Sequence, residues 1–138
     1  MIPNGKVGGK MIFVGTDIIE IERIRKALND RPTFVDRILS VNEKELFAKK
    51  KDPGPFLAGR FAAKEAVLKC LGTGLSGLSW QDIEIIPNKE GAPEVRLTME
   101  LNKILENKKM SAIKISISHS RDYAMAVAVG GQVEKCGF

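Results

Sequence analysis

The stretch Arg60–Lys69, RFAAKEAVLK, decides the fold of this chain. Its alanine, leucine, lysine and glutamate residues are strong helix formers, and they predict a helix over 56–71. Apolar side chains cover almost the whole circumference of that helix, so it belongs in a core. Glu65 and Lys69 break the apolar pattern together on one stripe. Charged groups among apolar neighbours are costly unless they are paired or bind something charged, so this helix is a candidate chemical site.

Two readings of Glu65 and Lys69 are open at this point. An ion pair on the helix surface is the simpler one, and exposed pairs of that kind contribute little to stability. The other reading is a binding site, since Arg60 and Lys64 add cations one turn earlier. Magnesium in proteins takes a few carboxylates together with phosphate oxygens and water. One acid among several cations therefore suits a site that binds magnesium and a polyanion together.

The rest of the chain predicts a mixed α+β fold. Ser40 and Glu43 have the spacing of a capping box, which starts a helix, and Gly72 is suited to end the central helix. We expect a mostly antiparallel sheet packed with helices. The predicted elements, in chain order, are a strand at 11–14, helices at 18–28, 34–39, 41–50 and 56–71, strands at 82–86 and 94–97, a helix at 98–107, and a hairpin of strands at 112–118 and 123–129.

Two further polar spots are candidate sites. Asp17 follows the predicted first strand and precedes the predicted first helix, so it either caps that helix or acts as a metal ligand at a strand end. The run 116–120, SISHS, ends a strand and enters a turn. Its hydroxyls and imidazole can hold a ligand, but turn chemistry explains serines there equally well, and a lone histidine is more often structural.

Composition narrows the function classes. The chain has 138 residues, of which 43% are hydrophobic and 28% charged, as in a single globular domain. Its apolar runs are far shorter than the roughly 18 residues of a membrane span, and no secretory signal is visible, so we expect no membrane partner. The net charge of +5 is spread along the chain. A phosphate-rich ligand or acidic partner therefore fits better than a nucleic acid, because an arginine-rich arm is missing from the sequence.

The ends of the chain and its cysteines complete the organisation. Residues 1–10 are polar and glycine-rich, and Met11 follows them. We set them aside as a flexible extension or a remnant of cloning, and residues 11–138 form the single predicted domain. Cys70 and Cys136 are read as free thiols of a reducing compartment, which predicts a cytoplasmic protein.

Three stretches together resemble a known family, the holo-acyl-carrier-protein synthases, which are the short bacterial class of 4′-phosphopantetheinyl transferase. The resemblance spans about residues 11–129, and its middle motif is highly specific. The stretches are Gly15-Thr16-Asp17-Ile18, then AGRFAAKEA at 58–66 with Lys69 and Gly72-Thr73-Gly74, and finally Ile117-Ser118-His119-Ser120.

The resemblance implies an activity and a site. Such enzymes transfer the 4′-phosphopantetheine group of coenzyme A to a serine of apo acyl carrier protein, for fatty acid biosynthesis, and release adenosine 3′,5′-bisphosphate. Asp17 and Glu65 would bind Mg²⁺, Lys69 would contact the phosphates, and the general base is left open among Asp17, Glu65 and a metal-bound water. The implied coenzyme A pocket consists of Arg60, Lys64, Lys69, Gly74, Ser118, His119 and Ser120.

The resemblance also implies partners and an assembly. The acidic recognition helix of the carrier protein would meet Arg23, and Arg25, Lys26 and Arg37 are further basic candidates nearby. Short members of the family are homotrimers with active sites between subunits, so we expect a homotrimer of the 4′-phosphopantetheinyl transferase-like α+β fold.

Two other function classes stay open. A non-catalytic module would hold coenzyme A or a carrier protein without turnover and without a magnesium requirement. A small basic nucleic-acid-binding protein would lose affinity steeply with salt. Mixing the protein with coenzyme A, magnesium and apo carrier protein separates these classes, because only the transferase raises the mass of the carrier.

Overall fold

A long helix packed against a four-stranded sheet forms the centre of the computed structural model, which describes residues 6–7, 10–75 and 77–132. The strand order of the sheet is β1-β2-β6-β5, and β3 and β4 form a separate two-stranded sheet. All pairings are antiparallel, which confirms the predicted α+β class. The elements are β1 (Lys6–Val7), β2 (Lys10–Glu20), α1 (Ile21–Asp30), α2 (Phe34–Ile38), α3 (Val41–Ala48), α4 (Pro53–Leu71), a 3-10 helix (Trp80–Asp82), β3 (Glu84–Pro87), β4 (Pro93–Arg96), α5 (Met99–Asn107), β5 (Ala112–His119) and β6 (Tyr123–Gly131).

Helix α4 is the core helix that its composition predicts. It begins at Pro53 rather than at Phe56, because the Asp52 side chain accepts a hydrogen bond from the Gly54 amide at 3.2 Å and a proline is tolerated in the first turn. It ends at Gly72, whose φ of 72° is the left-handed conformation expected of a C-terminal cap. Most of its 19 residues are buried, and it packs on β2 and β6.

Strand β2 crosses α4 in backbone contact at Gly15. A Cβ atom at this position would lie 2.0 Å from the Ala66 carbonyl oxygen and 2.5 Å from the Cys70 amide nitrogen. Only glycine permits so close an approach of the two backbones. Side chains alternate along a strand, so Asp17, two residues after Gly15, faces the same helix.

The predicted boundary between the first strand and the first helix is wrong. Strand β2 continues to Glu20, because it pairs with β6 from Ile12 opposite Gly131 to Glu20 opposite Tyr123. Asp17 therefore lies inside the strand, and the reading of Asp17 as a helix cap is wrong. Helix α1 begins at Ile21, with Glu20 at its N-cap position.

Most local signals in the remainder of the chain are confirmed. The capping box is present: the Ser40 amide donates to Glu43 Oε1 at 2.9 Å, and Ser40 Oγ accepts from the Glu43 amide at 3.3 Å. Strands β5 and β6 form the predicted hairpin. The strand predicted at 82–86 begins later, at Glu84, because the Ser79 amide donates to Asp82 Oδ2 at 2.8 Å and closes a 3-10 turn there.

Residues 6–7, which precede the predicted domain, take part in the sheet. Strand β1 pairs with the beginning of β2, and β2 itself begins at Lys10, one residue before the predicted domain boundary. Residues 1–5, 8–9 and 133–138, including Cys136, lie outside the described residues, and the prediction of a flexible extension stays a prediction for them. None of the helices in the described part of the chain is both long enough and apolar enough to cross a bilayer.

The sheet face opposite α4 is apolar and exposed. On β2, Ile12, Val14 and Ile18 are 44%, 60% and 65% exposed. On β6, Tyr123 and Met125 are 47% and 40% exposed. We call this surface the outer sheet face. Contiguous apolar surface of this kind is typical of a binding or assembly site.

Candidate active site

Three charged side chains lie where β2 crosses the C-terminal half of α4. Lys69 Nζ donates to Asp17 Oδ1 at 3.2 Å. Glu65, one turn earlier on α4, accepts a hydrogen bond on Oε1 from Trp80 Nε1 at 3.0 Å. Among the described residues Lys69 forms its ion pair with Asp17 and none with Glu65, so the reading of Glu65 and Lys69 as each other's counter-ions is wrong. The Lys69–Asp17 contact joins the first motif to the middle motif across 52 residues of sequence.

A cleft of about 400 Å³ opens beside this group. Its walls include Glu65, Lys69 and Gly74, together with Leu68, Gly72 and Leu75. Gly74 adopts a φ of 57°, which favours glycine, in the turn that follows α4. We call this the Glu65 cleft. It brings together three of the residues that the sequence assigned to one site.

The donor set of the Glu65 cleft fits magnesium bound together with phosphate. Asp17 and Glu65 are two carboxylates, and the Asp17 side chain is 18% exposed, so it is accessible to a ligand. No group of three or more His, Cys, Asp or Glu residues suited to a metal occurs in residues 10–75 and 77–132. A site with two carboxylates leaves the other positions to water and phosphate oxygens, as magnesium prefers.

Lys64 lies in the core and does not line the Glu65 cleft. Its side chain is fully buried, and its ammonium donates to Glu43 Oε1 at 2.6 Å, to the Ile38 carbonyl at 2.6 Å and to the Trp80 carbonyl at 3.0 Å. An ammonium has three N–H donors, and all three are used. Burial lowers the pKa of Lys64, and the Glu43 carboxylate opposes this effect. The expectation that Lys64 contacts coenzyme A is wrong for this geometry.

Arg60 and His119 share a second cleft near the N-terminal end of α4. This cleft of about 280 Å³, the Arg60 cleft, is also lined by Lys50 and Phe56. The Arg60 guanidinium lies 4.6 Å and the Lys50 ammonium 5.3 Å from the centre of the Phe56 ring. Arg60 Nε is buried and has no hydrogen-bond partner among the described residues. A buried unpaired donor is costly, so Arg60 suits an anionic ligand. The Asp52 carboxylate lines the same cleft but is paired with Arg25.

Lys50, which lines the Arg60 cleft, was not among the site residues predicted from the sequence. It belongs to the run Lys49-Lys50-Lys51 before Pro53, which reads as an ordinary solvated loop. The signal that could have identified it is the apolar Phe56 nearby, because cations stack on aromatic rings.

Ser118 and Ser120 lie at a third cleft, on the outer sheet face. This cleft of about 370 Å³ is also lined by Ile18, His119 and Met125. Ser118 pairs with Met125 and so points away from α4, whereas Asp17 faces α4. We call this the Ser118 cleft. It shares His119 with the Arg60 cleft, but the Glu65 cleft shares no lining residue with either. A single chain therefore does not bring all the predicted site residues together.

The basic residues assigned to carrier binding differ in their surroundings. Arg23 and Lys26 are exposed on α1. Arg25 instead pairs with Asp52 at 2.6 Å and Glu22 at 2.5 Å, which raises the pKa of Arg25 and lowers that of Asp52. Because Asp52 caps α4, the ion pair between Arg25 and Asp52 connects α1 to the start of α4. The Arg37 guanidinium lies 6.0 Å from the centre of the Trp80 ring.

Comparison with known proteins defines the class. A sequence model of the 4′-phosphopantetheinyl transferase superfamily matches residues 13–128, and the chain belongs to that family. Within the family it is similar to holo-[acyl-carrier-protein] synthases. That of Caldanaerobacter subterraneus subsp. tengcongensis is 57% identical over 123 residues, which cover 88% of this chain and 97% of the relative.

Solved structures of the same kind share the fold. The holo-[acyl-carrier-protein] synthase of Neisseria meningitidis has a TM-score of 0.81 and 35% identity, covering 86% of this chain and 96% of that chain. The Helicobacter pylori synthase, in complex with coenzyme A, has a TM-score of 0.74 and 34% identity, covering 85% of this chain and 98% of that one. The family recognised from the three motifs is thereby confirmed.

Proposed function

We propose that this chain is a holo-acyl-carrier-protein synthase. It transfers the 4′-phosphopantetheine group of coenzyme A to a serine of apo acyl carrier protein. The serine hydroxyl gives its proton to the general base, for which Asp17, Glu65 and a metal-bound water are the candidates. Its oxygen forms a bond to the phosphorus that carries the pantetheine arm, and the bond from that phosphorus to adenosine 3′,5′-bisphosphate breaks. The observation that carries the proposal is the Glu65 cleft, which Glu65 and Lys69 line and which the Lys69–Asp17 ion pair connects to Asp17, in a member of this family.

Each charged residue of the cleft has a role in this reaction. Asp17 and Glu65 would hold a magnesium ion, and its positive charge would offset the charge of the coenzyme A pyrophosphate. Lys69, 56% exposed and paired with Asp17, would contact the same phosphates. Positioning and electrostatics supply most of the rate enhancement in phosphoryl transfer, which suits a cleft of fixed charges.

Substitution of the two carboxylates tests the metal assignment. Asp17→Asn and Glu65→Gln keep the shape of each side chain but remove its charge, and we expect the rate of carrier modification to fall about 100-fold or more. The intact mass of the carrier reports the rate. Glu45→Gln, an exposed residue of α3, is the matched control. Modification by either site variant at the wild-type rate would show that the assignment is wrong.

We also propose that the active enzyme is a homotrimer with sites between subunits. The separation of the Glu65 cleft from the Arg60 and Ser118 clefts within one chain supports this assembly, as does the exposed apolar character of the outer sheet face. A neighbouring copy seated on the outer sheet face would bring its own Glu65 cleft toward the Ser118 cleft of this chain. The charged side chain in Val14→Glu should therefore lower the molar mass in light scattering.

Complementation tests the shared site directly. Asp17→Asn and Arg60→Ala should each be inactive as single variants. Co-expressed in one cell, they should form mixed assemblies in which about one site in four receives both wild-type residues. Recovery of activity in the mixture supports sites between subunits, and a mixture as inactive as the single variants refutes them.

The proposal extends to the partner and the compartment. Arg23 and Lys26, the exposed basic residues of α1, offer positive charge to an acidic carrier protein and would speed its association. The Cys70 thiol is free and buried, as in proteins of reducing compartments. We therefore place the enzyme in the cytoplasm, where it would supply holo carrier protein for fatty acid biosynthesis.

A further inference from the structure

We propose that Trp80 is a positioning residue that holds the Glu65 carboxylate in the orientation it needs as a metal ligand. This inference rests on the proposed function of Glu65. Trp80 lies outside all three motifs that carry the family resemblance, and it is the only tryptophan of the chain.

The contact between the two side chains is direct. Trp80 Nε1 donates to Glu65 Oε1 at 3.0 Å, and a hydrogen bond to a carboxylate is stronger than one between neutral groups. It occupies one carboxylate oxygen and leaves Oε2 without a partner among the described residues. The bond therefore fixes the rotation of the carboxylate while one oxygen stays free for a ligand.

Trp80 is held in place at both its backbone and its ring. At the backbone, the Trp80 carbonyl accepts from Lys64 Nζ at 3.0 Å, and Glu43 fixes that ammonium at 2.6 Å in the core. At the ring, Phe61 packs against the indole with 5.8 Å between ring centres, and the Arg37 guanidinium lies 6.0 Å from the ring centre. Trp80 is thus a rigid donor rather than a side chain that happens to reach Glu65.

Helix α4 supplies three of these contacts from consecutive turns. Phe61 and Glu65 are four residues apart and lie on one stripe of the helix, so the ring contact and the hydrogen bond share one rigid support. Lys64, next to Glu65, turns into the core instead and holds the carbonyl of the same tryptophan. Partners that orient a metal ligand in this way typically contribute about 10–100-fold to metal affinity.

Trp80→Phe removes the N–H donor and keeps an aromatic ring against Phe61. Mn²⁺ binding in the presence of coenzyme A, followed by electron paramagnetic resonance, should weaken by about 10-fold or more. The magnesium concentration for half-maximal transfer should rise by the same factor, while kcat at saturating magnesium changes much less. A merely structural role would alter thermal stability and leave the Mn²⁺ affinity unchanged.

Gln81→Leu is the matched control. Gln81 follows Trp80 on the same 3-10 helix and loses a comparable hydrogen bond, from its Nε2 to the Asp36 carbonyl, but it does not contact Glu65. We expect wild-type Mn²⁺ affinity for this variant. Equal weakening in Gln81→Leu and Trp80→Phe would overturn the proposal, because the loss would then reflect the 3-10 helix as a whole.

Glu65→Gln separates this inference from the proposed function. If Glu65→Gln binds Mn²⁺ as tightly as the wild type, Glu65 is not a ligand, and both proposals fail. If Glu65→Gln loses Mn²⁺ binding and Trp80→Phe retains it, only the positioning role of Trp80 fails. Weakening in both variants supports both proposals.

A measurement on the unchanged protein covers the case in which Trp80→Phe does not fold. The lone indole N–H gives one resolved signal in the ¹⁵N–¹H spectrum. That signal should move when magnesium and coenzyme A are added together to the wild type. In Glu65→Gln it should shift upfield, since the acceptor is then neutral, and stop responding to magnesium. An indole signal that ignores the metal in the wild type would overturn the proposal.

Discussion

Replacing Glu43 with glutamine should destabilise the fold by about 3–5 kcal/mol, because the change leaves the Lys64 ammonium buried without a counter-charge. Both side chains are 0% exposed, and their charged atoms lie 2.6 Å apart. The Glu43 carboxylate also accepts from the backbone amides of Ser40 at 2.9 Å and Ile85 at 3.0 Å. A glutamine has one acceptor oxygen, so it cannot satisfy all three donors at once.

The loss is large enough to measure by melting or by urea. The unfolding entropy of about 2.1 cal/mol/K per residue gives roughly 290 cal/mol/K for this chain, so a loss of 4 kcal/mol lowers Tm by about 14 °C. Assembly couples to stability, so the urea midpoints are compared at one protein concentration. Glu45→Gln, exposed on the same helix, should stay within about 0.5 kcal/mol of the wild type. A Glu43→Gln loss no larger than this control would refute the reasoning.

The pH dependence of the same variant has a definite sign. Burial lowers the pKa of Lys64, and Glu43 opposes that effect, so the variant should have a still lower Lys64 pKa. Between the folded and unfolded pKa values the unfolded state binds more protons, and stability rises with pH. The deficit of Glu43→Gln should therefore shrink from about pH 7 to about pH 10, toward the usual pKa of a lysine. A deficit that is constant over this range contradicts a buried unpaired ammonium as its cause.

A double variant isolates the pair itself. Glu43→Gln with Lys64→Met removes both charges, so neither is left buried alone. Its loss should be smaller than the sum of the two single losses by about 1–3 kcal/mol. Additive losses would mean that the pair contributes no coupling and that each residue acts through its other hydrogen bonds.

Three further substitutions or reactions test the site and its support. Gly15→Ala should lower the free energy of unfolding by about 1–3 kcal/mol, because the new Cβ would lie 2.0 Å from the Ala66 carbonyl oxygen. The strand would then shift and displace Asp17, so carrier modification should also slow. A urea midpoint equal to that of the wild type would contradict the close contact. Lys69→Met should raise the KM for coenzyme A by about 10-fold or more, which corresponds to the loss of a hydrogen bond to a charged group. The Tm should change little, because the Lys69 side chain is 56% exposed. An unchanged KM in steady-state assays would show that Lys69 does not contact the phosphates. Burial raises the pKa of the Cys70 thiol, so peptide mapping should find it alkylated far more slowly in the native protein than in urea, and equal rates would contradict its burial.

Local patterns predicted the parts of the fold that local forces determine. The capping box at Ser40 and Glu43, the terminating glycine at Gly72 and the apolar character of α4 depend on residues within a few positions of one another. The β5–β6 hairpin is likewise a contact between neighbours in sequence. These features follow from hydrogen bonds and burial that the sequence spacing already specifies.

Non-local strand pairing explains why the predicted end of the first strand, before Asp17, is wrong. Gly15-Thr16-Asp17 looks like the end of a strand, because glycine and aspartate disfavour strands. Strand β6, more than 100 residues later, nevertheless pairs with every residue of β2 from Ile12 to Glu20. The glycine is required by backbone contact with α4 rather than by a turn. No local rule distinguishes these two uses of glycine, so the position of Asp17 depends on the tertiary structure.

The spacing of residues in the sequence also did not predict that Lys64 is buried in the core while the adjacent Glu65 lines a cleft. Neighbours on a helix point about 100° apart, so one of the two can enter the core while the other faces a cleft. The apolar pattern of α4 is continuous around Lys64 and Glu65 and gives no sign of which residue is inside. The structure resolves this through Trp80, whose carbonyl binds Lys64 and whose indole binds Glu65. The lysine that resembled a phosphate ligand thus acts on the site from within the core, by holding the residue that orients the carboxylate.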